Sequence, residues 1–258
     1  MASAHHLEYV GAIATALITT LAILAYAATK KYDALKARMP FDLDAYVRQP
    51  NPKTIDKLKV VLLHHLNVGR HKSTDETLPL DEAPSPFVDK LRVTSRAGTR
   101  VGAKPYESPP GHLVVGTIRM GFGHHRIAYA ATSWALGTKR ATYFHDLLNI
   151  DSAESKLIID MDKMYSKGSR LATEIGGPVE RAWGALTKSG DENSLRVFFN
   201  MVQHLGPVLR AVPRETPIIA THGFVGMLAV SLGFENVINL VIDNHAQWFI
   251  VVPGALNL

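Results

Sequence analysis

Cysteine is absent from the 258-residue sequence, which excludes both a disulfide scaffold and a cysteine-ligated zinc site. The compact histidine spacings HxH and HExxH are missing as well, although the chain carries 12 histidines. No nucleic-acid-binding motif occurs. Residues 10–28 (VGAIATALITTLAILAYAA) lack any charged side chain. What is present is globular in composition: 47% hydrophobic and 20% charged, enough to bury a core in one large domain, or in one domain plus an anchor. The net charge of +5 is mildly basic. Much of that charge lies near the uncharged stretch, which suits anionic lipid better than nucleic acid as a partner.

Residues 10–28 are long enough to cross most of a hydrocarbon core as a helix. His5, His6 and Glu8 precede the run, whereas Lys30, Lys31, Lys36 and Arg38 follow it. A cleaved signal peptide has the opposite flanks, and the positive-inside rule places the bulk of the chain on the cytoplasmic side. The sequence therefore predicts a single-pass anchor over residues 1–31. A basic, proline-rich linker region is expected over 32–110, with an amphipathic helix at 54–66 and one short strand at 90–94. The adjacent His64 and His65 diverge by about 100° on a helix, a poor chelating geometry.

The folded domain is expected over 111–258. Residues 113–118 are apolar and β-branched, as in a buried strand. Gly121, Phe122 and Gly123 form a turn, and His124, His125 and Arg126 open a segment with apolar residues at helical spacing. Further strands are predicted at 141–146, 217–221, 236–242 and 248–252, and helices at 153–172, 179–186, 194–212 and 224–232. Alternating strands and helices imply a Rossmann-like α/β fold with a parallel sheet. Function in such sheets gathers beyond the carboxyl ends of the strands. Those ends carry residues 119–125, His145 with Asp146, Thr221 with His222, and Asp243, Asn244 and His245.

Three chemistries compete for this rim. His125, His222, His245 and Asp243 offer imidazole and carboxylate metal ligands, though without compact spacing. Gly121 and Gly123 supply two glycines of a dinucleotide-binding turn, but Arg126 stands where the third belongs. The third is group transfer to a hydroxyl: a turn histidine takes the acceptor's proton, as imidazole does near neutrality, and Asp243 or Asp146 orients it. A helix N-terminus and Arg126 would handle an anionic group.

The turn Gly121–Arg126 resembles the GGGHR turn of GT-B glycosyltransferases of the monogalactosyldiacylglycerol synthase type. It also resembles the GTGGH turn of the peptidoglycan lipid-linked N-acetylglucosaminyl transferase. Residues 241–249 (VIDNHAQWF) look like the (T/I)D…HPxWF segment of the former, and residues 219–223 (IATHG) are similar to their strand ending in SVHP. The matches fall in the family's order over about 113–252. The resemblance implies that His125 is the base activating the acceptor, with Asp243 as catalytic partner. It further implies that Gly121, Phe122, Gly123, His124, Arg126, His222 and His245 line the substrate site. Phe122 and His124 replace glycines of the family turn, Asp243 and His245 are closer together than in the family, and Ala246 replaces its proline.

GT-B enzymes have a second domain for the nucleotide sugar, and none is expected within 258 residues. A truncated gene product, a separate donor-domain partner chain or loss of transferase activity would each account for that. The expected function is the membrane-anchored acceptor-binding half of a glycosyltransferase. It would move a sugar from a nucleotide-sugar donor, a substrate rather than a cofactor, to a lipid or lipid-linked hydroxyl. No metal and no nucleic acid is called for. The rival expectation is a non-catalytic, membrane-tethered binding or scaffold subunit.

Overall fold

The computed structural model describes residues 2–37, 44, 51–68, 75–120, 122–187, 192–242 and 251–258. The centre is strand β4 (Leu113–Thr117), whose five residues are all buried. Its side chains alternate between the two faces of the sheet, as the strand period of two requires. Val114 enters one core and Leu113 and Val115 the other. Because both faces are covered, the run is apolar without a polar alternate.

Helix α3 (Phe122–Gly137) follows β4. Its Ala128 and Ala135 lie against Leu113, Val115, Phe144 and Ile219. Strand β5 (Thr142–Asp146) comes next and pairs parallel to β4. Helices α4 (Ala153–Ile175), α5 (Gly177–Thr187) and α6 (Glu192–Val202) then precede β6 (Ile218–Ala220), on the far side of β4. Helix α7 (Gly223–Ser231), β7 (Val237–Asn239) and β8 (Leu256–Asn257) complete the chain. The large core on the face opposite α3 joins Val114, Ile218 and Val237 to Leu157 of α4, Phe199 of α6 and Val225 of α7.

The sheet has eight strands in the order β3-β1-β2-β5-β4-β6-β7-β8. From β2 (Arg92–Arg96) through β8 each neighbouring pair is parallel. Strand β1 (Leu80–Pro84) runs antiparallel to both β2 and the two-residue β3 (Lys104–Pro105). The fold is thus α/β with a mixed sheet, which corrects the wholly parallel expectation. Within the region expected as a linker over 32–110, helix α2 (Thr54–Val68) and strand β2 fall close to the helix and the short strand expected at 54–66 and 90–94, whereas β1 and β3 are additional. Buried Glu82 pairs with Arg92 across the β1–β2 hairpin, so charge in these strands satisfies charge instead of marking a solvated loop. The expected strand at 248–252 falls largely outside the described residues, and β8 lies further on.

Helix α1 (Ala2–Lys36) is continuous. Ala12–Lys36 within it is long and apolar enough to cross a membrane. Its Ile13, Leu17, Ile18 and Leu21 are exposed, whereas Ala28, Tyr32 and Leu35 are buried against the domain. Tyr32 packs with Val60 of α2 and Met201 of α6. Asp44 fastens the same end. It accepts from the Tyr32 hydroxyl at 2.7 Å and from Arg196 Nε at 2.8 Å, and pairs with Lys36 at 2.8 Å. Burial works against ionisation of Asp44, but the hydrogen bonds from Lys36, Tyr32 and Arg196 outweigh it and hold the carboxyl below its ordinary range.

Candidate functional site

Strand β4 connects to β5 on one side and neighbours β6 on the other. The chain order reverses there, and a crevice beyond the carboxyl ends of two such strands is where α/β sheets place ligands. Helices α3 and α7 both begin at this point. The positive ends of their dipoles are thereby brought to one rim.

His222 caps α7, its Nδ1 accepting from Phe224 N at 3.2 Å. An accepting Nδ1 puts the proton of the neutral ring on Nε2. His124, in the first turn of α3, has its Nδ1 2.7 Å from the Thr221 carbonyl oxygen. A carbonyl only accepts, so His124 Nδ1 carries its proton and Nε2 is the basic nitrogen. The two rings sit 4.7 Å apart in complementary tautomers. Burial of the ring, and secondarily the His124 imidazole, push His222 down to about 3, so it is uncharged near neutrality. Beneath them the Thr221 hydroxyl donates to Thr117 Oγ1 at 3.0 Å and the Thr221 amide to Gly116 O at 3.0 Å, tying the ends of β6 and β4 together.

Asp146 closes β5 and is completely buried. Its Oδ1 accepts from the Leu148 amide at 3.0 Å and the Arg119 amide at 3.4 Å. Its Oδ2 faces His125 Nε2 at 3.9 Å and Arg119 Nε at 4.0 Å, ion-pair separations longer than a hydrogen bond. Burial raises the Asp146 carboxyl above its ordinary range, against the opposing effects of the Leu148 amide, Arg119 and His125. The His125 ring stands edge-on to Tyr129, one helical turn along α3, and to Phe144 on β5. These contacts fix the imidazole with Nε2 toward the carboxylate.

The structure brings His124, His125 and His222 together with Asp146. Arg126 is exposed in the same turn, and Phe122 and Gly123 are the first residues of α3. Gly121, Asp243 and His245 lie outside the described residues. Asp146, one of two carboxylates considered for orienting the histidine, stands beside His125. Arg119, two residues beyond β4, joins the site from a position that sequence spacing alone does not connect to Asp146. His145 does not reach the rim: it is fully buried, with Nδ1 2.7 Å from Thr94 Oγ1, and burial pushes it down to about 4. Among the described residues no three histidine or carboxylate side chains form a metal-binding group.

Residues 83–257 match the family described as a domain of unknown function (DUF6937), a region that begins in β1 and takes in the entire rim. The chain belongs to this family. No curated protein and no solved structure matches it. In this DUF6937 chain α1 and α2 precede the family region, while α3, β5 and α7, which carry the site, lie inside it.

Proposed function

We propose that this protein is the acceptor-binding half of a glycosyltransferase, built on a Rossmann-like domain of the GT-B N-terminal type. Helix α1 anchors it as a single span, with Lys30, Lys31 and Lys36 after the apolar run keeping the domain on the cytoplasmic side. The acceptor is a lipid or lipid-linked hydroxyl, and the donor is a nucleotide sugar held by a partner chain or further domain. The observation that carries the reading is His125 beside the buried Asp146 on the carboxyl rim of the sheet, next to its switch point.

In the step proposed, the acceptor oxygen bonds to the anomeric carbon as that carbon's bond to the nucleotide diphosphate breaks. The bonding pair leaves with the diphosphate, and the acceptor's proton passes to His125. Asp146 directs Nε2–H of His125 toward itself, which makes Nδ1 the nitrogen that receives the proton, and it stabilises the imidazolium formed. Arg126 and the N-termini of α3 and α7 offset negative charge.

The test is transfer of labelled sugar from nucleotide donors to membrane lipid by the full chain in vesicles, with and without cell lysate as a source of donor domain. His125→Ala is expected to lower transfer by roughly 10²–10⁴-fold. Transfer at the parental rate by that variant removes the assignment of the base. Acceptor binding without transfer in any combination returns the protein to the scaffold class.

A further inference from the structure

Helix α2 has two unlike faces. Val60 is buried against Tyr32 and Met201, whereas Ile55, Leu58 and Leu62, spaced for a single face, are exposed. Helix α4 behaves the same way over its second half. Leu157 and Ile158 enter the main core, but Met164, Leu171 and Ile175 form an apolar row that is 41%, 54% and 58% exposed. At 100° per residue, Lys163, Lys167 and Arg170 fall on one flank of that row, together with Asp160, which pairs with Lys163 at 3.9 Å, and Glu174, so that the flank keeps a net positive charge. Ordinary packing leaves such rows inside; here two helices carry them outward.

Both helices are fixed to the docked end of α1. Met161 of α4 packs on the cluster of Tyr32, Val60 and Met201, and Lys59 of α2 donates to the Ala185 carbonyl of α5 at 3.0 Å. The exposed rows are therefore joined structurally to the helix whose own apolar surface is long enough to cross a bilayer. An apolar row with a flank of net positive charge is the pattern of a helix lying at a lipid interface, and that net charge complements anionic headgroups.

We propose that the exposed rows of α2 and α4 lie in the headgroup–acyl boundary of an anionic bilayer, seating the domain on the surface that α1 crosses. This rests on α1 being a span, and it goes further by making the domain a surface-bound body instead of one hanging from a tether.

Because the chain has no cysteine, single-cysteine variants report position cleanly. Leu62→Cys, Met164→Cys and Leu171→Cys are made in the full chain, with Val101→Cys and Trp134→Cys, exposed elsewhere, as controls. Each is labelled with an environment-sensitive fluorophore and reconstituted in phosphatidylcholine vesicles with about 30 mol % phosphatidylglycerol. Emission at 62, 164 and 171 is expected to exceed that of the controls at least twofold, roughly, and to be quenched by lipids spin-labelled high on the acyl chain. Labels at 164 and 171 that match the controls, in protein that resists alkaline extraction, overturn the seating while leaving the span intact. Protein that alkali extracts overturns the span, and the seating with it. Emission that rises with the protein-to-lipid ratio and escapes lipid quenching assigns the rows to a second copy, and also overturns the proposal.

Discussion

An imidazole that stays neutral in the fold takes up a proton on unfolding, and the buried His145 and half-buried His222 both meet that condition. Their folded values of about 4 and about 3 lie below the 6.5 of an unperturbed histidine. Between those limits the unfolded chain binds more protons, so stability rises with pH. Their contribution is complete above about pH 6.5. It is lost as pH falls toward 4 for His145 and toward 3 for His222, with a slope approaching about 1.4 kcal/mol per pH unit for each. Thermal unfolding at pH 5 is expected about 5–10 °C below that at pH 7. His145→Gln should shrink that difference by roughly half, as scanning calorimetry would show. Asp146 adds an acid dependence of its own within the proposed transfer. Its carboxyl is held above the usual range by burial, so the negative partner of His125 is lost on acidification at a higher pH than for an exposed aspartate. An acid limb in the rate profile is the expected result. Asp146→Asn should lower the rate roughly tenfold or more at neutral pH, as a transfer assay would show.

Helix α4 begins with a capping box: the Ser152 hydroxyl accepts from the Ser155 amide and the Ser155 hydroxyl from the Ser152 amide, each at 3.2 Å. Ser152→Ala should cost about 1 kcal/mol, measured by denaturant titration. Further along α4, Gly168 lies under the Trp183 ring of α5, and a methyl group there would overlap the indole. Gly168→Ala is expected to destabilise by about 1–3 kcal/mol and to red-shift Trp183 emission as the α4–α5 hairpin is pried apart. Elements with strong periodicity were readable in advance: β4, the turn into α3, β5, and β6 with α7 all lie close to where their apolar patterns put them. Strand β2 lies within two residues of the short strand expected at 90–94, but β1 and β3 were not legible, because LDEAP and KP alternate no apolar face. The three hold together through an edge hairpin and the Glu82–Arg92 pair, a contact that only the folded register creates. The site divides similarly. Histidines at strand ends were visible as a cluster, but the tautomers of His124 and His222 depend on Thr221 O and Phe224 N, and no spacing rule encodes those partners.

For the whole molecule, the decisive joint is the one between α1 and the domain. Arg196 is almost entirely buried, and Asp44 is the carboxylate it shares with Tyr32 and Lys36. Asp44→Ala should destabilise by about 3 kcal/mol, and amide exchange in residues 28–36 should quicken as that end of α1 loosens. With the joint intact, α1 is one uninterrupted rod of 35 residues, free along its apolar length and clamped at its base. A rod of this kind transmits torque. Adding a single alanine above the clamp would turn the free part about 100° and lengthen it by about 1.5 Å relative to the domain, whereas adding seven would nearly restore the heading. The heading of the domain relative to the apolar surface of α1 is thus geared to residue count in that helix, in the way a key's teeth are set by where its shaft is cut.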